Sequence, residues 1–140
     1  MTAAFVPPAH WAEAASQLKI SGSVTLDSSG NGTVQFTPVN ANQRWVVLAV
    51  LVSTNQAAVA TVVPYATLAL NSNDIGTMSQ GNQQGTSWAG NNDQFRGGLD
   101  VGPCDNVSVL FYPPPGQSGT PLAGVIATAV VTGTRYTRRT

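Results

Sequence analysis

The sequence predicts an all-β domain: an antiparallel β-sandwich or jelly roll of about seven or eight strands with a short N-terminal helix. Short segments alternate apolar and polar residues, and turns rich in glycine, asparagine and serine separate them at fairly even spacing. The 140 residues are the length of one domain and suffice for a core of its own. No internal repeat and no domain linker is visible.

The first predicted element is a helix over residues 9–18. This segment follows Pro7-Pro8, is rich in alanine and places Trp11 and Leu18 on one face at helical spacing. A helix of about ten residues is marginal alone, so we expect it to dock on the domain or on a neighbouring subunit.

Strands follow, beginning with a predicted hairpin. Residues 20–26 and 33–37 both alternate, and the segment between them, 27–32, contains only Asp, Ser, Gly and Asn. Residues 44–54 are apolar on both faces, which is typical of a central strand. The remaining predicted strands are 60–70 with a bend at Pro64, a short strand within the polar stretch 71–92, and then 94–101, 106–112 and 122–133.

The chain therefore divides into three predicted parts. Residues 1–18 are an N-terminal docking segment, residues 19–134 form the sandwich, and residues 135–140 are a polar tail that carries three arginines.

Charge is scarce. Only 9% of the residues are charged, and six basic residues balance six acidic ones. Because binding to phosphates needs a basic excess, we expect no nucleic-acid partner. The longest apolar runs, 45–52 and 125–131, are too short to span a bilayer, and residues 1–8 lack the features of a secretory signal. We expect a soluble protein made in a cytoplasm, packed against neighbours and without a membrane partner.

Residues suited to catalysis are few. The single histidine, His10, lies in the predicted helix, and Asp93 and Asp100 are the best candidate carboxylate pair. Cys104 is the single cysteine, which excludes an intrachain disulfide. Since no phosphate-binding glycine loop is present either, we expect no enzyme, no catalytic residue and no cofactor.

One turn has some features of a calcium loop. Residues 27–32 place side-chain oxygens at alternate positions before a glycine, but Pro38 stands where the loop needs a bidentate carboxylate. Asn71, Asn73 and Asp74 form a similar oxygen-rich turn. We interpret both as structural turns and expect no metal.

Two sets of residues are candidates for binding. An exposed aromatic ring among amides and carboxylates is typical of sugar sites, which makes Trp88, Asn91, Asn92 and Asp93 a possible glycan-binding group. The termini supply candidates for contact with neighbouring subunits, where an arginine-bearing tail can bind carboxylates. These interface candidates are Phe5, Trp11, Leu18, Tyr136, Arg138 and Arg139.

A series of turn and strand landmarks runs through residues 20–133. It includes Gly-Thr-Val-Gln-Phe at 32–36, Arg-Trp-Val-Val at 44–47, Val-Pro-Tyr-Ala at 63–66 and Gly-Asn-Asn-Asp at 90–93. In this order the landmarks resemble small β-sandwich virion proteins of tailed phages that infect actinobacteria, of the head-decoration and minor-tail types. The resemblance implies particle assembly or surface display, with no catalytic residues.

The expected function follows from the resemblance and the composition together. It is a non-catalytic structural component of a phage particle, specifically a capsid decoration or head-associated protein. A minor tail or neck protein is one alternative, and a carbohydrate-binding module that uses the Trp88 loop is another. The expected partners are major capsid or tail proteins, further copies in a small oligomer such as a trimer, and a host glycan.

Overall fold

Two antiparallel β-sheets packed face to face form the protein, which confirms the predicted all-β sandwich. The computed structural model describes residues 13–57, 59–77, 86–89 and 98–138. Within those ranges no helix is both long and apolar enough to cross a membrane. The strands are β1 (Glu13–Thr25), β2 (Gly32–Phe36), β3 (Gln43–Thr54), β4 (Tyr65–Leu70), β5 (Asn73–Thr77), β6 (Thr86–Ala89), β7 (Leu99–Val101), β8 (Val107–Tyr112) and β9 (Ile126–Arg138). A 3-10 turn, Thr120–Leu122, precedes β9.

The larger sheet has five strands in the order β1-β9-β3-β6, and β7 also pairs with β3. The smaller sheet has four strands in the order β2-β8-β4-β5. β1 and β9 pair along all 13 residues of each, whereas β2 has 5 residues and β8 has 6. The strands of the larger sheet are therefore the longer ones, and among the described residues β1 lies at its edge.

The core lies between the two sheets. Trp45 is the largest of its fully buried side chains. Alternate residues of each strand point inward, as the two-residue period of a strand requires. The larger sheet contributes Leu18, Trp45, Val47, Val50, Val52, Leu99, Val101, Ala127, Ala129 and Val131, and the smaller sheet contributes Val34, Phe36, Ala66, Leu68, Val107, Val109 and Phe111.

A β-bulge at Leu48 changes which residues of β3 face the core. Val47 pairs with Gly133 and Ala49 pairs with Thr132, so Leu48 is an extra residue in β3. A Cβ atom on Gly133 would overlap the carbonyl oxygen of Val46 and lie 3.0 Å from the Leu48 nitrogen. The backbones approach this closely because residue 133 has no side chain.

The predicted hairpin of residues 20–37 is wrong, although both of its strands exist. β1 pairs with β9 and β2 pairs with β8, so the turn between them crosses from one sheet to the other. The two strands face each other through side chains: a Cβ on Gly22 would lie 2.7 Å from Val34. A hairpin and a connection between two sheets have the same alternating residues and the same turn residues, so the sequence pattern does not distinguish them.

The predicted helix and tail also differ from the structure. Residues 13–18 belong to β1, while residues 9–12 lie outside the described residues. Residues 135–138 continue β9 as the pairing partners of residues 13–16, so the expected part boundaries at 18 and 134 fall inside strands. The pairing of residues 13–16 with residues 135–138 gives the backbone N–H and C=O groups of both segments hydrogen-bond partners. In a free tail, those groups would need water or other partners.

We predict that Gly133→Ala destabilises the fold by about 3 kcal/mol or more, because the methyl group would overlap main-chain atoms that no side-chain rotation can move. Gly124→Ala is the matched control. Its φ is 81° and a Cβ there has no neighbour within 4 Å, so it adds only backbone strain of about 1–2 kcal/mol. Urea unfolding of both variants measures the difference. Equal losses would show that the contact at Gly133 is not the constraint.

Candidate interaction surfaces

Leu18, one of the predicted interface residues, has no exposed surface in this chain. Its side chain is fully buried in the core, opposite Gly133 of β9. The prediction assigned it to the apolar face of a docking helix, but in β1 the residue takes the inward side of the strand alternation. Phe5, Trp11 and Arg139 lie outside the described residues, so their assignment to an interface stays a prediction.

Tyr136 and Arg138 lie near the end of β9, where β9 pairs with the first residues of β1 and of β3. The guanidinium of Arg44 stacks 4.3 Å from the centre of the Tyr136 ring, and Arg44 also lies 3.7 Å from Asp100. Arg138 is exposed, and its backbone nitrogen donates to the carbonyl of Asn42 at 2.8 Å. The stacked Arg44 and Tyr136 form an ordered polar patch. The Arg44–Asp100 ion pair is exposed and adds little to stability.

The proposed glycan group is only partly described. The backbone of Trp88 lies in β6 opposite Val50 of β3. Asn91, Asn92 and Asp93 lie outside the described residues. Glycan binding at this group therefore stays a prediction.

The outer face of the larger sheet carries an apolar stripe, which sequence reasoning missed. We define the stripe as Val46, Leu48, Leu51 and Val130; Ile126 lies on the same face, beyond the polar row of Ser53, Thr128 and Ser23. Leu48 is 46% exposed, Leu51 is 44% exposed and Ile126 is 42% exposed. Leu51 lies directly opposite Val130, and neighbouring β1 contributes Ser21 to the same row. Apolar residues grouped on one exposed face are typical of an interaction surface.

The outer face of the smaller sheet is polar and aromatic. Tyr65 and Tyr112 pack edge to face with their ring centres 6.0 Å apart, and the Tyr112 hydroxyl hydrogen-bonds the Thr67 hydroxyl at 2.8 Å. Beside them is a shallow groove of about 240 Å³. Its lining residues are Thr33, Gln35, Ala69, Ser72, Ser108 and Leu110. All of them are uncharged, so this face offers hydrogen bonds and ring contacts rather than charge.

Asp105 joins two turns at one end of the sandwich. Its carboxylate accepts hydrogen bonds of 2.8 Å from the Asn71 side-chain amide and from the Gly102 backbone nitrogen. These bonds, that from Asn71 first, hold the pKa of Asp105 below its ordinary value. Asn71 has φ 51° and Ser72 has φ 69°, as expected for a two-residue turn between β4 and β5.

Asp27 has a similar role at the turn between β1 and β2. Its carboxylate accepts from the backbone nitrogens of Asn31 at 3.0 Å and Ser29 at 2.8 Å, which lowers its pKa. The oxygen-rich turns at Asp27 and Asn71 thus use their side chains to hold the backbone. Among the described residues, no three His, Cys, Asp or Glu side chains gather in a group that could hold a metal ion. His10 and Asp93 lie outside the described ranges, so the absence of catalysis stays a prediction.

Two donors on neighbouring strands are buried without an acceptor among the described residues. They are the indole Nε1 of Trp45 and the Nε of Arg135, and the two residues lie opposite each other in β3 and β9. A buried donor without an acceptor costs about 1–3 kcal/mol, so a water molecule or a partner that reached this row would gain by supplying one.

Comparison with known proteins shows little. No family model matches the chain, and no curated protein matches it in sequence. The crystal structure of FLHE is 16% identical with a TM-score of 0.46, and the match covers 86% of this chain and 96% of that one. The acidic stable capsid structure of Helicobacter pylori bacteriophage KHP30 is 9% identical with a TM-score of 0.37, covering 89% of this chain and 92% of that one. Neither likeness is close enough to assign a function.

We predict that Asp105→Asn lowers stability at neutral pH and reduces its loss in acid. A carboxyl whose pKa is lowered by folding stabilises the protein above its ordinary pKa, and that stability disappears as the pH falls through the lowered value. The variant has no carboxyl group at position 105, so acid cannot remove this contribution to its stability. Urea unfolding at about pH 7 and about pH 2.5 measures both effects.

The control for that experiment is Asp100→Asn, which removes an equal charge from an exposed side chain outside the turns. It reports the effect of the changed net charge together with the loss of the weak ion pair to Arg44. If Asp105→Asn retained the full acid dependence of the unsubstituted protein, the network at Asp105 would not be a source of stability.

Proposed function

We propose that the chain is a non-catalytic structural component of a bacteriophage particle, specifically a capsid decoration or head-associated protein. The observation that carries the proposal is the apolar stripe on a rigid sandwich with few charges. A protein of this kind acts by binding: the sandwich holds a surface in fixed geometry against its neighbours. The resemblance of the sequence to small virion proteins supports the location in a particle, and a minor tail or neck position is the alternative within the same class.

The stripe has the composition of the centre of a protein interface. Interface centres are poor in charged residues and rich in apolar ones, with polar residues around them. Here the exposed Leu48 and Leu51 lie beside Val46 and Val130, and Ser23 and Thr128 continue the same face as a hydrogen-bonded polar pair.

The position of the stripe also favours a fixed attachment. It lies on β3 and β9, the two central strands of the larger sheet, and β3 is tied to β9 on one side and to β6 and β7 on the other. A surface on central strands needs little ordering when it binds, so less of the binding free energy is lost to entropy.

Immunogold electron microscopy of the source particles tests the location. With antibody raised against the purified chain, we expect gold spread over the heads. Gold confined to the tail or neck would move the protein to the alternative position. Absence of labelling on both intact and disrupted particles would contradict the virion proposal.

We predict that Leu51→Arg weakens attachment to particles stripped of the protein by tenfold or more, equivalent to about 1.4 kcal/mol. The arginine would bring an unpaired charge into an apolar contact. Val59→Arg is the matched control, because Val59 is 85% exposed in the loop after β3 and is not part of the stripe. Rebinding is measured by sedimentation with the particles. Equal binding by both variants would exclude the stripe as the attachment surface.

A further inference from the structure

The outer edge of β1 has no pairing partner among the described strands. β9 pairs with one side of β1 along its 13 residues, and no described strand pairs with the other side. An edge of this kind presents backbone donors and acceptors to any strand that can lie beside it. A long and flat edge is usually protected by charges, by a bulge or by a partner.

The smaller sheet covers only the second half of β1. A Cβ on Gly22 would contact Val34 of β2, and a Cβ on Gly32 at the start of β2 would contact Val24. Residues 13–19 lie before these contacts and pair with residues 132–138 of β9, and of residues 14–19 all but the buried Leu18 are exposed. This half of the edge is therefore the part that another strand can approach.

The charges of β1 select the partner. Glu13 and Lys19 are its two charged residues, and they stand six positions apart. When a two-fold axis perpendicular to the sheet pairs a strand with its own copy, each face stays on its own side. Residues can then be opposite only when they are an even number of positions apart. An antiparallel pairing centred on Ser16 meets this condition and puts each Glu13 opposite the Lys19 of the other copy.

We propose that two copies of the chain associate through residues 13–19 of β1, antiparallel and centred on Ser16, so that their larger sheets become one continuous sheet. Position 13 is already paired with position 138 in its own sheet, so in the dimer its row also contains position 19 of the second copy. Opposite charges on directly opposed residues stabilise a strand pair. The dimer goes beyond the proposed function and does not depend on where in a particle the protein lies.

The same register is favourable on the inner face. It places the exposed Ala14 opposite the backbone position of Leu18 in the other copy, so that inward positions face inward positions. A slip by one residue would bring inward positions opposite outward ones. Ser16 also lies in the row of Arg135, whose Nε has no acceptor among the described residues, and the dimer brings a second strand to that row.

Sedimentation velocity of the purified chain over a range of concentrations tests the dimer. We expect a concentration-dependent monomer–dimer equilibrium. Lys19→Glu and Glu13→Lys should each raise the dissociation constant by about tenfold or more, equivalent to about 1.4 kcal/mol. In a homodimer of either variant, residues 13 and 19 of the two copies would form two pairs of like charges. Mixed in equal amounts they should form a heterodimer, because the mixture restores both opposite-charge pairs.

Chemical cross-linking fixes the register. In a Cys104→Ser background, which removes the exposed native thiol, Ser16→Cys should form a disulfide dimer on oxidation, because directly opposed residues lie close together. Ser21→Cys is an exposed position of the same strand outside the overlap and should not cross-link.

Three results would overturn the proposal. They are a monomer at every concentration, failure of the mixed charge variants to associate, and equal cross-linking at positions 16 and 21. Circular dichroism of each variant shows whether the sandwich is folded. Because the measurements use the purified chain without particles, they are independent of the immunogold result.

Discussion

The close approach of β3 and β9 at Gly133 is the constraint on which the sandwich depends. The carbonyl oxygen of Val46 occupies the space that a side chain at position 133 would need. The bulge at Leu48 lies at this contact, and it shifts the inward and outward alternation of the β3 side chains by one residue. Before the bulge Trp45 faces the core, and after it Val50 does. Without the shift, one half of the strand would turn its apolar residues outward.

The bulge also produces the outer surface. The extra residue is Leu48, which is exposed, and the shifted alternation brings Leu51 out beside Val130. The core and the apolar stripe are thus two consequences of one backbone feature. Because β3 and β9 are central strands with neighbours on both sides, a partner on the stripe meets a surface that pairing holds in place.

Local pattern predicted the individual strands better than their partners. Residues 44–54 and 106–112 were predicted almost to the residue as β3 and β8, since their apolar runs have the length of strands. Pairing depends on contacts between distant residues. The turn at 27–32 has the composition of a hairpin turn yet joins the two sheets. Residues 14–18 satisfy a helical spacing, but their partner is the last segment of β9, more than a hundred residues away. The stripe was missed for the same reason: Leu48 is exposed at a bulge, and the bulge lies opposite Gly133 of the distant strand β9.

The scarcity of charge makes the few charged positions important for specificity. Hydrogen bonds along a sheet edge and apolar contacts on a sheet face tolerate several registers, and repulsion between misplaced charges is one way to exclude the wrong ones. On β1 the charged positions are Glu13 and Lys19, and a shift of the proposed pairing by two residues would keep the faces correct but leave both charges without an opposite. Electrostatic complementarity of this kind contributes more to the choice of partner than to affinity. A strand edge with few charges can therefore pair in one register when backbone hydrogen bonds supply the binding and the two symmetric Glu13–Lys19 pairs exclude the other registers.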